Sequence, residues 1–428
     1  MADDRSIPTG RFGRVARLAS VGMRTGAGLL LSKTGNNAAE YAADVLGNMR
    51  GLAAKIGQTL SYVDGVIPEA QRETYEKALR KLRDATPRSS PEAIRDVIES
   101  ELGAKVSDLF AEFQGVPFAS ASIGQVHRAK LPDGRDVAVK VQHPGIADAV
   151  ESDLKNASVM EGVVSSIAPK GVDTGSVYRE VAARFREELD YRLEAQRQRA
   201  FSDLHAGDTR IAIPGVIGSH SARRVLTSEF AQGLDFDTAI KASEAEREAW
   251  ARTLWRFVFK GNLIGKMFNA DPHPGNYLFN PQGRVTFLDF GCVQPLQSDR
   301  FPAALGMHDA ALRRDEAAFA KHCAVLLGTR GGVYEQRALA YSRRCFEPLF
   351  ASPYRITRAY TTNLFEEIGE VKKSFWAKDK SFVMLPPAMI FLNRLQFGFY
   401  SVLARLDVTV DYADVERDFL RAAGVLPG

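Results

Sequence analysis

Three cysteines, Cys292, Cys323 and Cys345, are too few and too widely spaced for a disulfide framework or a metal-ligand pattern. They fit a reducing compartment, where buried thiols behave as small hydrophobes. Histidine is scarce as well: the seven residues are scattered, and no pair stands at i, i+4 beside a carboxylate, which excludes the common helix-borne zinc site. No uncharged apolar run reaches the roughly 18 residues that cross a bilayer. The best stretch, Ser381 to Asn393, is shorter and holds Pro386-Pro387. Asp3 and Asp4 near the start, with Arg14, Arg17 and Arg24 interrupting the apolar residues after them, argue against a cleavable leader. Low-complexity tracts are absent, and a net charge of +4 is too small to argue for a nucleic-acid partner. The expectation is a cytoplasmic protein with no transmembrane helix.

What is present is an ordinary globular composition, 45% hydrophobic and 25% charged over 428 residues, enough for two or three domains' worth of core. Residues 11–32 interleave arginines with Phe12, Val15, Leu18 and Val21, a basic, moderately amphipathic helix able to lie on an anionic membrane surface or on the protein itself. Residues 38–84 read as helical, and Pro91 suits the first position of a helix running to Glu101. Residues 106–113 allow one more short turn or helix. At Gly115 the texture changes: Phe118 to Ala129 and Val137 to Gln142 alternate around Pro132-Asp133-Gly134, which predicts a hairpin. Helical character returns over 146–168 and as a long charged region over 176–206. Pro214 to Ile217 and Val225 to Phe230 read as strands. From Glu244 helices dominate, apart from short strands at Tyr277–Phe279 and Val285–Leu288. The predicted organisation is a basic segment (1–37), a helical extension (38–114), a β-rich lobe with a helical insertion (115–233) and a helical lobe with a C-terminal extension (234–428).

The chemistry concentrates in Asn269-Ala270-Asp271-Pro272-His273-Pro274-Gly275-Asn276 and in Asp289-Phe290-Gly291. An Asp, an Asn five residues on and an Asp-Phe-Gly thirteen further reproduce the carboxylate spacing of a kinase site. There the first Asp (Asp271) positions the attacking group, and the Asn (Asn276) and second Asp (Asp289) hold Mg²⁺ against the phosphates of ATP. The usual His-Arg before the first Asp is missing. Upstream, Val137-Ala138-Val139-Lys140 places a strand lysine to meet phosphates. The preceding Ala119-Ser120-Ala121-Ser122 puts small residues where a glycine-rich loop would cover them. Lys140 needs a helix carboxylate, and Glu188, Asp190 and Glu194 are the candidates; by spacing, Glu187, Asp190, Tyr191 and Glu194 share a face. Val225 to Gly233 reads as a strand entering a linker, whose Glu229 carbonyl and Ala231 backbone would meet an adenine edge. Element order matches an α+β, bilobal protein-kinase-like fold with an N-terminal helical extension and extra C-terminal helices.

Ala54-Lys55-Ile56-Gly57-Gln58, Ala119 to His127, Glu188-Leu189-Asp190-Tyr191 and Ala270 to Asn276 together resemble the signatures of the UbiB/AarF (Coq8-like) family of atypical kinases over roughly residues 40–300. Ser120 stands where that family commonly has Ala. The resemblance implies that the Lys55 segment folds over the site and obstructs a protein-substrate groove. Lys55 would then point at Glu188 and Asp190, Gln58 would sit near the nucleotide, and Glu194 would partner Lys140. It also implies an ATPase or kinase using ATP and Mg²⁺, tied to ubiquinone or other isoprenoid-lipid metabolism. Its partners would be a prenyl lipid or quinone precursor, an anionic membrane touched peripherally at its inner face, and biosynthetic-complex proteins. A nucleotide-gated lipid-binding scaffold with little turnover and an autoinhibited protein kinase stay open beside it.

Overall fold

The computed structural model describes residues 89–120, 123–155, 182–183, 185–296, 299–376 and 387–426. Lys55, Gln58, Ala121, Ser122, the basic 11–32 segment and most of the expected helical extension lie outside these residues.

The chain divides into two units, one of which includes 119–125 and 142–185 and the other 95–118, 126–141 and everything from 186 onward. In the first, Ser89 donates its N–H to Gln125 Oε1 (3.1 Å), and its hydroxyl meets His143 Nδ1 at 2.8 Å. His143 N–H donates to the Ile123 carbonyl (2.9 Å), just before helix α1 (Ile146–Lys155).

The second unit takes in most of a helix, Pro91–Leu102, followed by a four-residue helical turn, Val106–Leu109, and a short strand β1 (Glu112–Phe113). The hairpin strands are β2 (Gly124–Lys130) and β3 (Asp136–Gln142), and β4 (Val225–Glu229) pairs antiparallel with β3 from Val137↔Glu229 to Val141↔Val225. Along the sheet the order is β1-β2-β3-β4. Strand alternation sorts the faces: Val137, Val139 and Val141 are fully buried, and Ala138 and Lys140 emerge on the other side. The expected strand over Pro214–Ile217 is reduced to a single bridge, Val216↔Ser228. Pro214 has no N–H, and the N–H of Gly215 is taken by the Glu229 side chain (3.0 Å), so little of a ladder can form.

The charged 176–206 region is not one helix. Within its described part the helix stops at Leu189, and α2 (Tyr191–Leu204) starts afresh. Asp190, extended at φ −121°, caps it by accepting the N–H of Arg192. Glu187 and Asp190 therefore do not share a helix face with Glu194.

Beyond β4 the long α3 (Glu244–Leu263) begins in a Ser243/Glu246 capping box. Two strand pairs follow, β5 (Met267–Asn269) with β8 (Val293–Pro295) and β6 (Tyr277–Phe279) with β7 (Val285–Phe287), and the short strand Ile211–Ala212 adds in parallel to β7. The first pair was not expected from sequence. Among the described residues seven further helices follow, including α4 (Phe301–Leu312), α5 (Pro387–Leu406) and α6 (Tyr412–Ala422). At the end of α5, Phe399, Tyr400, Val402 and Leu403 are buried, and Ser401 and Arg405 stand on the outward face. No described helix is long and apolar enough to cross a membrane.

One buried polar knot ties three of these helices. Glu416 on α6 is fully buried; its Oε1 accepts from Trp255 Nε1 on α3 (2.9 Å), and its Oε2 meets His308 Nδ1 on α4 (2.6 Å). Removing Glu416 strands both of its partners in a dry core. Glu416→Ala is expected to cost about 3 kcal/mol in chemical denaturation; a loss under about 1 kcal/mol would show the knot to be dispensable.

Candidate active site

Lys140 is the centre of the site. Its Nζ donates to both carboxylate oxygens of Glu194 (2.8 and 3.0 Å) and toward Asp289 Oδ2 (3.4 Å), and stands 5.1 Å over the Tyr191 ring. Only 17% of the Lys140 side chain and 7% of that of Glu194 are exposed, against 33% for Asp289. Burial disfavours the charged lysine, but the carboxylates of Asp289 and Glu194 outweigh it and hold the ammonium well above its ordinary pKa. Burial also lifts the Glu194 carboxyl, and Lys140 opposes that push. Glu194 lies in the first turn of α2, where the helix dipole favours a negative charge. The Tyr191 hydroxyl is buried with no hydrogen-bond partner among the described residues, and burial keeps it protonated.

The Asp271 loop leaves β5 through Ala270, which is fully buried and donates its N–H to the Cys292 carbonyl (2.7 Å). Pro272 and Pro274 fix the next residues, and Pro274–Asn276 form a 3₁₀ turn. Asn276 Nδ2 donates to the Asp271 carbonyl (3.2 Å) and to its Oδ2 (3.3 Å). Asn269 joins this loop to the next motif: its Oδ1 accepts the Asp271 N–H (3.1 Å) and its Nδ2 donates to the Asp289 carbonyl (2.6 Å). Asp289 Oδ1 in turn accepts the N–H of Gly291 (2.9 Å). Helix α5 presses close on the loop, since a methyl on Gly398 would stand 2.5 Å from Cγ of Pro272.

Asp271, Asn276 and Asp289 are all half-buried. Asn276 and Asp289 offer hard oxygen donors, and Mg²⁺ characteristically takes one or two carboxylates plus substrate phosphates. No group of three His, Cys, Asp or Glu among the described residues could hold a metal alone. The donor set therefore fits a cation shared with phosphates, and not a resident metal cage.

Of the residues singled out from sequence, Lys140, Glu194 and Asp289 meet directly, and Asp271 and Asn276 join them through Asn269. Asp190 does not face the lysine; it caps α2 and pairs with Arg192 (2.7 Å). Glu188 ends the preceding helical segment and adds to the negative field at Glu194. Ala119 and Ser120 form a two-residue strand in the first unit. Glu229 closes β4, and after Ala231 the chain is pinned by Leu234 to Phe279 (2.8 and 2.9 Å).

Sequence reasoning missed several residues. Asn269 carried a signal, because Asn-x-Asp is a local turn in which the amide side chain takes the N–H two residues on. Phe118, Phe230 and Arg128 gave none: Phe118 is more than half exposed, its ring lies 5.6 Å from Phe230, and Arg128 stacks on Phe230 at 4.6 Å. This cluster lies where the sheet enters the linker.

Phe290 is fully buried within an aromatic column: Phe201 of α2 lies 5.3 Å from both Phe290 and Phe257, and Phe257 stacks on Phe287. The column ends in His205, whose two ring nitrogens have no hydrogen-bond partner among the described residues. Burial first, with help from Lys260 and Arg256 against Asp208, lowers its pKa to about 3. Its unfolded value is near 6.5, so between those limits the unfolded chain binds a proton that the native state refuses. Native stability is thus undiminished above about pH 6.5 and falls as pH drops toward 3. His205→Phe is expected to flatten the fall in stability between pH 7 and 4 by about 2–3 kcal/mol. Parallel curves in urea titrations of the two proteins would refute this.

Residues 81–323 match the ABC1 atypical kinase-like domain. The mitochondrial atypical kinase COQ8 of Saccharomyces cerevisiae is 30% identical over 312 residues, aligning 69% of this chain with 61% of that protein. COQ8B of Rattus norvegicus is 31% identical over 307 residues, covering 67% of this chain and 57% of its own length. The chain thus spans about three-fifths of these mitochondrial relatives. The uncharacterized protein Rv0647c of Mycobacterium tuberculosis is 30% identical over 372 residues, covering 82% of this chain and 76% of that one. Among solved structures, that of Rv3197 with erythromycin, from Mycobacterium tuberculosis, superposes with a TM-score of 0.63 at 27% identity, covering 95% of this chain and 98% of its own.

Proposed function

Since the chain belongs to the ABC1 family of COQ8-like (UbiB) atypical kinases and has its α+β kinase-like fold, we propose that it binds ATP with Mg²⁺ and catalyses ATP hydrolysis or phosphoryl transfer to a small acceptor. The observation that carries this reading is Lys140 held between Glu194 and Asp289, with Asp289 tied through Asn269 to Asp271. Glu194 keeps the Lys140 ammonium charged and aimed, so that it can meet phosphate oxygens. Asn276 and Asp289 would hold the cation. When bound, Mg²⁺ neutralises charge on the β- and γ-phosphates and leaves Lys140 free to orient them. Asp271, steadied by Asn269 and Asn276, accepts the hydrogen bond of a water or acceptor hydroxyl. Catalysis on this plan is positioning and electrostatics.

The family's link to ubiquinone biosynthesis makes a prenyl lipid or quinone precursor the first acceptor or regulator to try, and an anionic membrane the first surface. A second reading, a nucleotide-gated binder of a large apolar ligand with little turnover, draws on the erythromycin held by Rv3197.

Single-turnover assays with labelled ATP separate the two readings, run with and without anionic liposomes, phenolic quinone precursors and erythromycin. The first predicts phosphate release or transfer that Asp289→Asn reduces by at least about 100-fold. Turnover in Asp289→Asn equal to that of the parent would sink the assignment of the cation site. In the same assay, Lys140→Met is expected to weaken nucleotide binding by about tenfold or more, read on protein that circular dichroism shows to be folded. Unchanged nucleotide affinity would remove Lys140 from the phosphate site.

A further inference from the structure

We infer that Arg197 is a positioning residue for the proposed cation site, holding the Asp289–Gly291 turn against the helix that carries Glu194. This rests on the reading of Asp289 given above. Arg197 follows Glu194 by three residues on α2, so the two side chains leave the same face of the helix. The helix therefore touches the Asp-Phe-Gly turn twice. Glu194 reaches Asp289 through Lys140, and Arg197 Nη1 donates directly to the Gly291 carbonyl at 3.0 Å. Gly291 is the residue whose N–H fixes Asp289 Oδ1 (2.9 Å). Its amide orients the carboxylate, and Arg197 anchors its carbonyl.

The other end of the guanidinium is also held. Arg197 Nη2 donates to Glu187 Oε2 at 2.6 Å, with only 14% of the arginine side chain exposed. Glu187 lies before the helix break at Leu189-Asp190, so one planar fork spans three segments: the helical end at 187, helix α2, and the turn at 291. A lysine could supply charge at this point but not two donors in a fixed plane. Room for adjustment is small. A methyl on Gly291 would lie 3.2 Å from Asp289 Oδ1 and 3.7 Å from Glu194 Oε2. Loss of the Arg197 bond releases the Gly291 carbonyl and loosens the turn on which the Gly291 N–H meets Asp289, while the Lys140–Glu194 pair stays intact. The defect should therefore fall on the cation and not on the nucleotide alone.

The test uses the full chain with Arg197→Met, which keeps the aliphatic stem and removes the donors. Without nucleotide, amide hydrogen exchange over residues 289–293 is expected to quicken by about tenfold or more, with residues 358–376 and 397–420 unaltered. In turnover, the Mg²⁺ concentration for half-maximal rate should rise by about tenfold, with affinity for Mg²⁺-free ADP kept within about twofold. Arg197→Lys should recover part of the Mg²⁺ response, and Glu187→Gln should fall between parent and Arg197→Met. Unchanged exchange at 289–293, or quickened exchange with an unchanged Mg²⁺ requirement, overturns the positioning role; so does quickened exchange throughout the chain, which would make Arg197 a general stability residue. Exchange is read without nucleotide, so a parent protein that fails to turn over Mg²⁺-ATP counts against the proposed function and leaves the tether to be judged on exchange.

Discussion

A lysine ammonium largely withdrawn from water must be balanced where it stands, and much of the local architecture follows from that requirement. Two carboxylates supply the balance for Lys140, and each comes from a different element. For Glu194 to arrive, α2 must begin at Tyr191, and the Asp190 cap sets that start. For Lys140 to arrive on the correct side, β3 must alternate so that Val137, Val139 and Val141 fill the opposite face. For Asp289 to arrive, the turn after β7 must be held, and Asn269, Gly291 and the buried Phe290 hold it. A buried ion pair is a weak source of net stability, because desolvation consumes most of the Coulombic gain. The cluster is better understood as a feature that the rest of the fold supports for the sake of its field.

That support comes from the helical part of the chain. Phe257 of α3 stacks on Phe287 two residues before Asp289, and Trp255 on the same helix is locked by Glu416. Gly398 lets α5 lie against Pro272, the residue after Asp271. The C-terminal helices, which lack chemistry-bearing motifs, thus form the wall against which the Asp271 loop is seated.

Local patterns made much of this legible in sequence. The hairpin carrying Lys140, the strands at 277 and 285, and the helices after 244 follow from alternation, turn residues and 3.6-residue periodicity. The spacing from Asp271 to Asn276 and Asp289 was readable because each lies in a short, turn-bounded segment. What escaped depended on backbone hydrogen bonds or on long-range packing. The break at Leu189-Asp190 hides inside a run of good helix formers and is set by a cap geometry. The pairing of Met267–Asn269 with Val293–Pro295 joins segments too short to show a period. The contact of Arg197 with Gly291 spans 94 residues of chain, and an arginine in a charged helix reads as a solvated side chain until its acceptor is seen.

Asn269 sits between the two acidic motifs. One amide group grips the backbone of both acidic residues, the N–H of Asp271 and the carbonyl of Asp289. The two carboxylates, eighteen residues apart in sequence, therefore share a single mechanical degree of freedom near their backbones. Neither can shift by an ångström without drawing the other along. A displacement at one acidic residue is thus passed to the other through the Asn269 amide.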